Sequence, residues 1–250
     1  MINTVYSNSC SFGAPNQGHK VYADYVAEKF NATVINQGIP GSCNRRIIRS
    51  TLRDLIDLSS TQQNILALIG LSFVSRTELW QPDLPPVKND GHFHPIIVDH
   101  NKISWKEKGL IDTIVPNISD FARSSIKEYY KQWLLHLSLE SEVTNTLTDL
   151  VMFTGWARSK NIQYLIFCNT NTFPGEPQVG VTSPFVSNLY QTVLKDHNII
   201  NLWQFSFKDH ALDNKFVPKD HNIYGIHGHP GADAHQSFGN FLSSTLVKQQ

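Results

Sequence analysis

The stretch whose reading decides the fold is Thr4-Val5-Tyr6-Ser7-Asn8-Ser9-Cys10-Ser11-Phe12-Gly13. A short apolar strand begins almost at Met1 and runs into small polar residues closed by a glycine. A hydroxyl on such a turn, at the carboxyl end of a central strand, occupies the place where open α/β sheets bind ligands. The same residues also fit a Ser/Asn-rich turn with no chemical task, so the chain beyond them has to decide.

Beyond them the pattern repeats. Val21, Tyr22, Tyr25, Val26 and Phe30 recur at helical spacing from about His19 to Phe30. Thr33-Val34-Ile35-Asn36 reads as a second strand, followed by the turn Gln37-Gly38-Ile39-Pro40-Gly41-Ser42-Cys43-Asn44. Ile47, Ile48, Leu52, Leu55 and Ile56 line one face of a second helix. Asn64 to Gly70 is an apolar run of the kind that marks a strand buried on both faces. Strand, helix, strand, helix, strand in this order imply a parallel sheet with right-handed crossovers.

The pattern then breaks. From Trp80 to about Pro116 the chain carries Pro82, Pro85, Pro86 and Pro95, the His92-Phe93-His94 run and little periodicity. An irregular stretch of that length inside a compact domain is usually functional or mobile, and it reads as an insertion at about 80–116 over the carboxyl edge of the sheet. Two helices are expected next, one with Ile118, Phe121, Ile126, Tyr129, Trp133 and Leu137 on a face, the other with Leu139, Val143, Leu147, Leu150 and Val151. A buried strand from Ile162 to Cys168 ends in the polar turn Asn169-Thr170-Asn171. A helix near 185–196, a short strand at 199–202 and a polar loop lead to Gly228-His229-Pro230-Gly231 and a closing helix carrying Ala234, Phe238, Phe241 and Leu242. The expected architecture is a single domain over 1–250: a three-layer αβα fold with a parallel five-stranded sheet in the flavodoxin-like order 2-1-3-4-5.

Composition narrows the function. The chain has 250 residues with 21 basic and 21 acidic side chains, so no global field favours nucleic acid or an anionic membrane. No apolar run approaches the roughly 20 residues of a membrane-spanning helix. The N-terminus lacks the basic and apolar regions of a secretory signal, so a cytoplasmic location is expected. Cys10, Cys43 and Cys168 show no CxxC spacing and cannot all pair with one another, so a disulfide scaffold is not expected.

Three turns at the carboxyl ends of strands one, two and three, with a His-Pro turn before the last helix, resemble the blocks of the SGNH (GDSL-like) hydrolases. The first block of that family, Gly-Asp-Ser-x-Ser/Thr-x-Gly, fits the spacing of Ser7-Asn8-Ser9-Cys10-Ser11-Phe12-Gly13, with Ser7 and Asn8 replacing Gly and Asp. The resemblance puts the nucleophile on Ser9. A slide of two residues would put it on Ser11, although the glycine spacing favours Ser9. In the second block Gly41 matches the glycine whose N–H donates to the oxyanion, and His229-Pro230 is similar to the catalytic His-Pro. A subgroup whose first block reads Gly-Cys-Ser-Phe-Thr ends its third strand in Arg-x-Glu, here Arg76-Thr77-Glu78.

The resemblance implies acyl transfer: a serine activated by a histidine base, with donors facing the oxygen that becomes negative. The expected catalytic set is Ser9, His229, Gly41, Ser72 and Asn44. Asn8, Ser11 and Arg76 are expected to contact substrate, Arg76 either as a clamp or as an ion-pair partner of Glu78 or of the insertion. Two positions depart from the family. Its third block carries an oxyanion asparagine where this chain has Ser72, and loss of one such donor costs roughly 3–4 kcal/mol. Ser72 or Asn44 is the replacement. The family's Asp three residues before the histidine falls on Ile226, so His227, Asp220 or a carbonyl would have to orient the ring, and a Ser-His dyad is the implied arrangement. His235 reads as a surface or supporting residue. No cofactor or metal is implied. The expected partner is a small-molecule or glycan ester, such as an O-acetyl group, and oligomeric state is open.

Two rival classes remain. A metal hydrolase could draw on His227, His229, His235, His92, His94 and the cysteines, yet the spacings match no zinc motif. A binding module that kept the fold and lost the chemistry would explain the missing Asn and Asp.

Overall fold

The computed structural model describes residues 2–15, 18–74, 76–80, 93–96, 139–170, 184–216 and 230–249. In chain order these form β1 (Thr4–Ser9), α1 (Tyr22–Phe30), β2 (Thr33–Asn36), α2 (Asn44–Thr61) and β3 (Ile65–Leu71). Then come β4 (Thr77–Trp80), β5 (Phe93–Ile96), α3 (Leu139–Ser159) and β6 (Gln163–Cys168). The chain closes with α4 (Pro184–Leu194), α5 (Phe207–Asp213) and α6 (Ala232–Gln249).

Alternation along the strands sorts the apolar residues into two layers. Ile65, Ala67, Ile69 and Leu71 of β3, with Tyr164, Ile166 and Cys168 of β6, face a core built with Ile47 and Leu55 of α2 and Leu147, Leu150 and Phe153 of α3. Leu66, Leu68, Leu165 and Phe167 face the opposite way, onto Tyr22 and Val26 of α1, Phe207 of α5 and Phe238 and Leu242 of α6. Each fully buried Leu or Phe contributes roughly 1.5–3 kcal/mol. A sheet that is apolar on both sides must be covered on both sides, and so the three layers follow from the two strands.

The main sheet is parallel, in the order β2-β1-β3-β6. That is the beginning of the expected 2-1-3-4-5 order. The fifth position is reduced to isolated parallel bridges, Ile166 with Ile199 and Cys168 with Ser206. Ile166 N–H donates to Asn198 O at 2.9 Å, and Ile200 N–H to Ile166 O at 2.8 Å.

Three features differ from the sequence reading. First, β1 continues through Ser9, with Asn8 opposite Ile69 and Ser9 opposite Gly70, so the polar residues expected in the turn belong to the strand. Second, the start of the expected insertion is an antiparallel hairpin, with Thr77 opposite Ile96 and Trp80 opposite Phe93. Residues 81–92 and 97–138, with the helix expected over 118–137, lie outside the described residues. Third, α5 stands where a polar loop was expected. Ser206 caps it, its Oγ accepting from Asp209 N–H at 3.2 Å and donating to Asp209 Oδ2 at 2.7 Å. Among the described residues no helix is long and apolar enough to cross a membrane.

Candidate active site

The carboxyl edge of the sheet gathers the ends of β1, β2, β3 and β6 and the loops that follow them. Backbone hydrogen bonds lock the first two loops together. Gln37 N–H donates to Ser7 O at 2.8 Å and Ile39 N–H to Ser9 O at 3.0 Å. Asn36 Nδ2 reaches Gly13 O at 2.8 Å while its Oδ1 accepts from Gly38 N–H at 3.0 Å. Gly38 lies so close to the first loop that a Cβ would fall 2.9 Å from Ala14 Cα. The turn that follows needs Gly41, whose φ is 83°, in the left-handed region.

Within this edge the residues of the first block divide. Asn8 is wholly buried and faces α2: its Nδ2 donates to Ser50 Oγ at 2.8 Å, Thr51 Oγ1 at 3.1 Å and Ile47 O at 3.2 Å. Asn8 Nδ2 thus ties β1 to α2, while its Oδ1 has no partner among the described residues. Ser9 has no exposed surface, and its Oγ donates to Cys10 O at 3.0 Å. That hydroxyl is walled in by the Tyr22 ring. A Cβ placed on Gly13 would lie 2.0 Å from Tyr22 Oη and 2.5 Å from Ser9 Oγ. Ser11, in the turn closed by Gly13 N–H to Cys10 O at 3.2 Å, is partly exposed.

The second and third blocks meet at Asn44, the first residue of α2. Its Oδ1 accepts from Ser72 N–H at 2.6 Å, which fixes the amide so that Nδ2 is on the other side. Asn44 is 2% exposed, and its Nδ2 has no acceptor among the described residues. Ser72, just past β3 and wholly buried, accepts on Oγ from Arg76 Nη1 at 2.7 Å. Arg76 Nη1 also reaches Ser42 O at 3.5 Å, and Arg46 Nη1 donates to Ser42 Oγ at 2.9 Å. Gly41, Ser42, Asn44, Ser72 and Arg76 thus form one connected edge. Arg76 does not pair with Glu78, which Arg49 holds through Nε at 3.2 Å and Nη2 at 2.8 Å.

On the opposite flank, Tyr22 at the start of α1 stands against Phe167, Phe207, Phe238 and His235. Burial pushes its phenol well above the ordinary range, so it stays protonated. Asn169, one residue past β6, leans over Gly70, where a Cβ would lie 2.6 Å from its Nδ2, and that Nδ2 points to Cys10 Sγ at 3.7 Å. His235 is not at the surface: it is fully buried in the first turn of α6, and its Nδ1 accepts from Tyr22 N–H at 3.3 Å. Tyr22 and Asn169 were missed from sequence. The only signals were an aromatic in a helical stripe and an Asn after a strand.

His229 lies outside the described residues, as do His227, Asp220, Ile226, His92 and His94. The described chain resumes at Pro230, which is buried, and His235 N–H donates to Gly231 O at 3.1 Å as α6 begins. The cysteines are all buried and unpaired with one another. Cys43 caps α2, its Sγ accepting from Arg46 N–H at 3.4 Å, and burial with the Glu78 charge pushes its thiol up to about 12. Among the described residues no group of three His, Cys, Asp or Glu side chains is placed to hold a metal ion.

No family model and no curated protein matches the sequence. Among solved structures the chain is similar to a protein assigned to the G-D-S-L lipolytic family from Desulfitobacterium hafniense. That pair is 11% identical with a TM-score of 0.45, over 97% of this chain and 99% of the other. A psychrotrophic esterase from Pseudoalteromonas sp. is 12% identical with a TM-score of 0.47, over 99% of this chain and 98% of the other. An acetyl xylan esterase from the rumen bacterium Butyrivibrio proteoclasticus is 13% identical with a TM-score of 0.45, over 99% of this chain and 64% of the other.

Proposed function

We propose that this chain is a serine ester hydrolase of the SGNH type that cleaves a small carboxylic ester, an O-acyl group on a glycan included, through an acyl-serine intermediate. The observation that carries the reading is Asn44: a buried amide, fixed by Ser72 N–H, whose Nδ2 has no acceptor among the described residues. A buried donor without an acceptor costs about 1–3 kcal/mol, and a developing oxyanion would recover it. Asn44 then replaces the family's third-block asparagine from the neighbouring helix, and the Gly41 N–H is its companion donor.

Accessibility supports Ser11 over Ser9 as the nucleophile. Ser9 Oγ has no exposed surface and spends its proton on Cys10 O, whereas Ser11 is partly exposed two residues beyond the strand. The slide of two residues also lays the subgroup block Gly-Cys-Ser-Phe-Thr over Ser9-Cys10-Ser11-Phe12-Gly13. In the proposed reaction Ser11 Oγ attacks the carbonyl carbon while His229 takes its proton. The ester C–O bond breaks, and the proton passes to the departing alkoxide. Water, deprotonated by the same imidazole, attacks the acyl-serine, releasing the acid and restoring the serine. No cofactor enters this chemistry.

A fluorophosphonate probe tests it. Wild type and Ser9→Ala should be labelled, and Ser11→Ala and His229→Ala should not. Labelling lost in Ser9→Ala but kept in Ser11→Ala would move the nucleophile to Ser9. A wild-type protein that neither labels nor turns over any activated ester would end the esterase reading in favour of a binding module.

A further inference from the structure

The segment after β3 holds a cation that the described protein does not neutralise. Arg76 Nη1 is committed to Ser72 Oγ at 2.7 Å and Ser42 O at 3.5 Å. Its guanidinium carbon lies 4.8 Å from the centroid of the Phe73 ring, which is 37% exposed. The acid two residues on is taken: Glu78 has a side chain only 4% exposed and is gripped at both oxygens by Arg49. Among the described residues no carboxylate pairs with Arg76, and Nε is buried with no acceptor.

Three physical facts then act together. Arginine keeps its charge at any physiological pH. With Nη1 tied down and the flat face against Phe73, the edge left over is Nε with Nη2, the fork that grips a carboxylate through two parallel bonds. Two anchors and a ring already fix the guanidinium, so little side-chain entropy remains to be lost when an anion arrives.

We propose that Arg76 seats a carboxylate of the substrate, so that the ester taken by this site is an acidic one. Ser72 sets where the acid lies relative to the reacting carbonyl: its hydroxyl takes Arg76 and its N–H takes Asn44 Oδ1. The anion seat and the amide donor are therefore neighbours on one residue, and the carboxylate sits a few bonds from the acyl carbon. The assignment to a substrate rests on the esterase reading. The anion seat itself does not.

The test compares each acidic ester with a neutral partner: 4-nitrophenyl hemiglutarate with 4-nitrophenyl butyrate for the acyl side, and 4-acetoxybenzoate with its methyl ester for the alcohol side. In wild type one acidic ester should exceed its partner in kcat/KM by about 10- to 100-fold, the value of a charge-assisted hydrogen-bonded contact. The ratio should collapse in Arg76→Gln, survive in part in Arg76→Lys, and fall with added salt in the wild type. Ratios near one for both pairs in wild type, or a preference that Arg76→Gln retains, would overturn the proposal. Calorimetric binding of the amide counterparts, glutaramate and 4-acetamidobenzoate, reads the seat without turnover. Binding that Arg76→Gln abolishes, in a protein that hydrolyses nothing, removes the esterase reading and keeps the seat. Brisk hydrolysis of neutral esters with neither carboxylate bound removes the seat alone.

Discussion

Single side chains at this edge carry separable duties, and Asn44 shows it best. Its Oδ1 holds Ser72 N–H at 2.6 Å, while its Nδ2 waits without an acceptor among the described residues. Asn44→Asp keeps the acceptor and removes the donor. The α2 first turn holds no acid, and a carboxylate there is favoured by the helix dipole. The expected outcome is a fold of near wild-type thermal stability with kcat reduced by about 10²–10³, whereas Asn44→Ala should lose both. Equal turnover in Asn44→Asp and wild type would remove Asn44 from catalysis. The sequence made Asn44 a candidate because it opens a helix after a glycine turn. Its glycine spacing favoured Ser9 over Ser11, and burial, the quantity that favours Ser11, is not written in that spacing. Serine and asparagine are read as turn formers, and nothing local reveals that Asn8 Nδ2 finds Ile47 O, Ser50 and Thr51 some forty positions away, from within a strand that runs on to Ser9.

At the scale of elements, the alternating and doubly apolar strands were legible because burial on two faces leaves its mark on every residue. β2 has the predicted bounds, β3 is shifted by a single residue, and β6 starts one residue late and ends where expected. What escaped were elements held by caps or by partners distant in sequence. The α5 helix spans only Phe207–Asp213, too short for a periodic stripe, yet Ser206-x-x-Asp209 is an N-terminal signature that could have found it. The β4–β5 pairing escaped because each strand is only four residues long, too short to show a period, and Pro95 stands in the second. The cap carries a prediction. Ser206→Ala removes the acceptor for Asp209 N–H and the bond to its carboxylate, so thermal or urea denaturation should show a loss of about 1 kcal/mol. Fluorophosphonate labelling at low temperature should be unchanged, because α5 supplies none of the proposed site. A loss of labelling without a loss of stability would place α5 in the site instead. The loops are tighter. Gly38→Ala would thrust a methyl to 2.9 Å from Ala14 Cα and 3.1 Å from Ala14 N and Gly13 O, and since the atoms it meets all belong to backbone, the first two loops must part. We expect activity to fall by more than stability does, measured as kcat beside the denaturation midpoint.

The whole molecule is a parallel sheet between two cores, and the α1-α5-α6 side carries a titratable group whose sign can be worked out. His210 of α5 lies 3.0 Å from Ser237 Oγ of α6 and packs on Phe205, Phe238 and Phe241. Burial lowers its pKa below the ordinary histidine value, and the nearby Asp213 offsets only part of that. A histidine that resists protonation when folded makes the unfolded chain the better proton binder over the interval between the two pKa values. Stability from this group is therefore complete above about pH 6.5, and it declines as pH falls through the unfolded pKa toward the lower, folded one. Other histidines titrate in the same range, so the informative quantity is a difference between two proteins. The drop in melting temperature from pH 7.5 to 5.5 should be larger in wild type than in His210→Gln, which keeps a polar partner for Ser237 and cannot take up the proton. Identical slopes in the two would show that the α5–α6 seam does not sense pH through His210, and a steeper slope in the variant would reverse the sign derived from its burial.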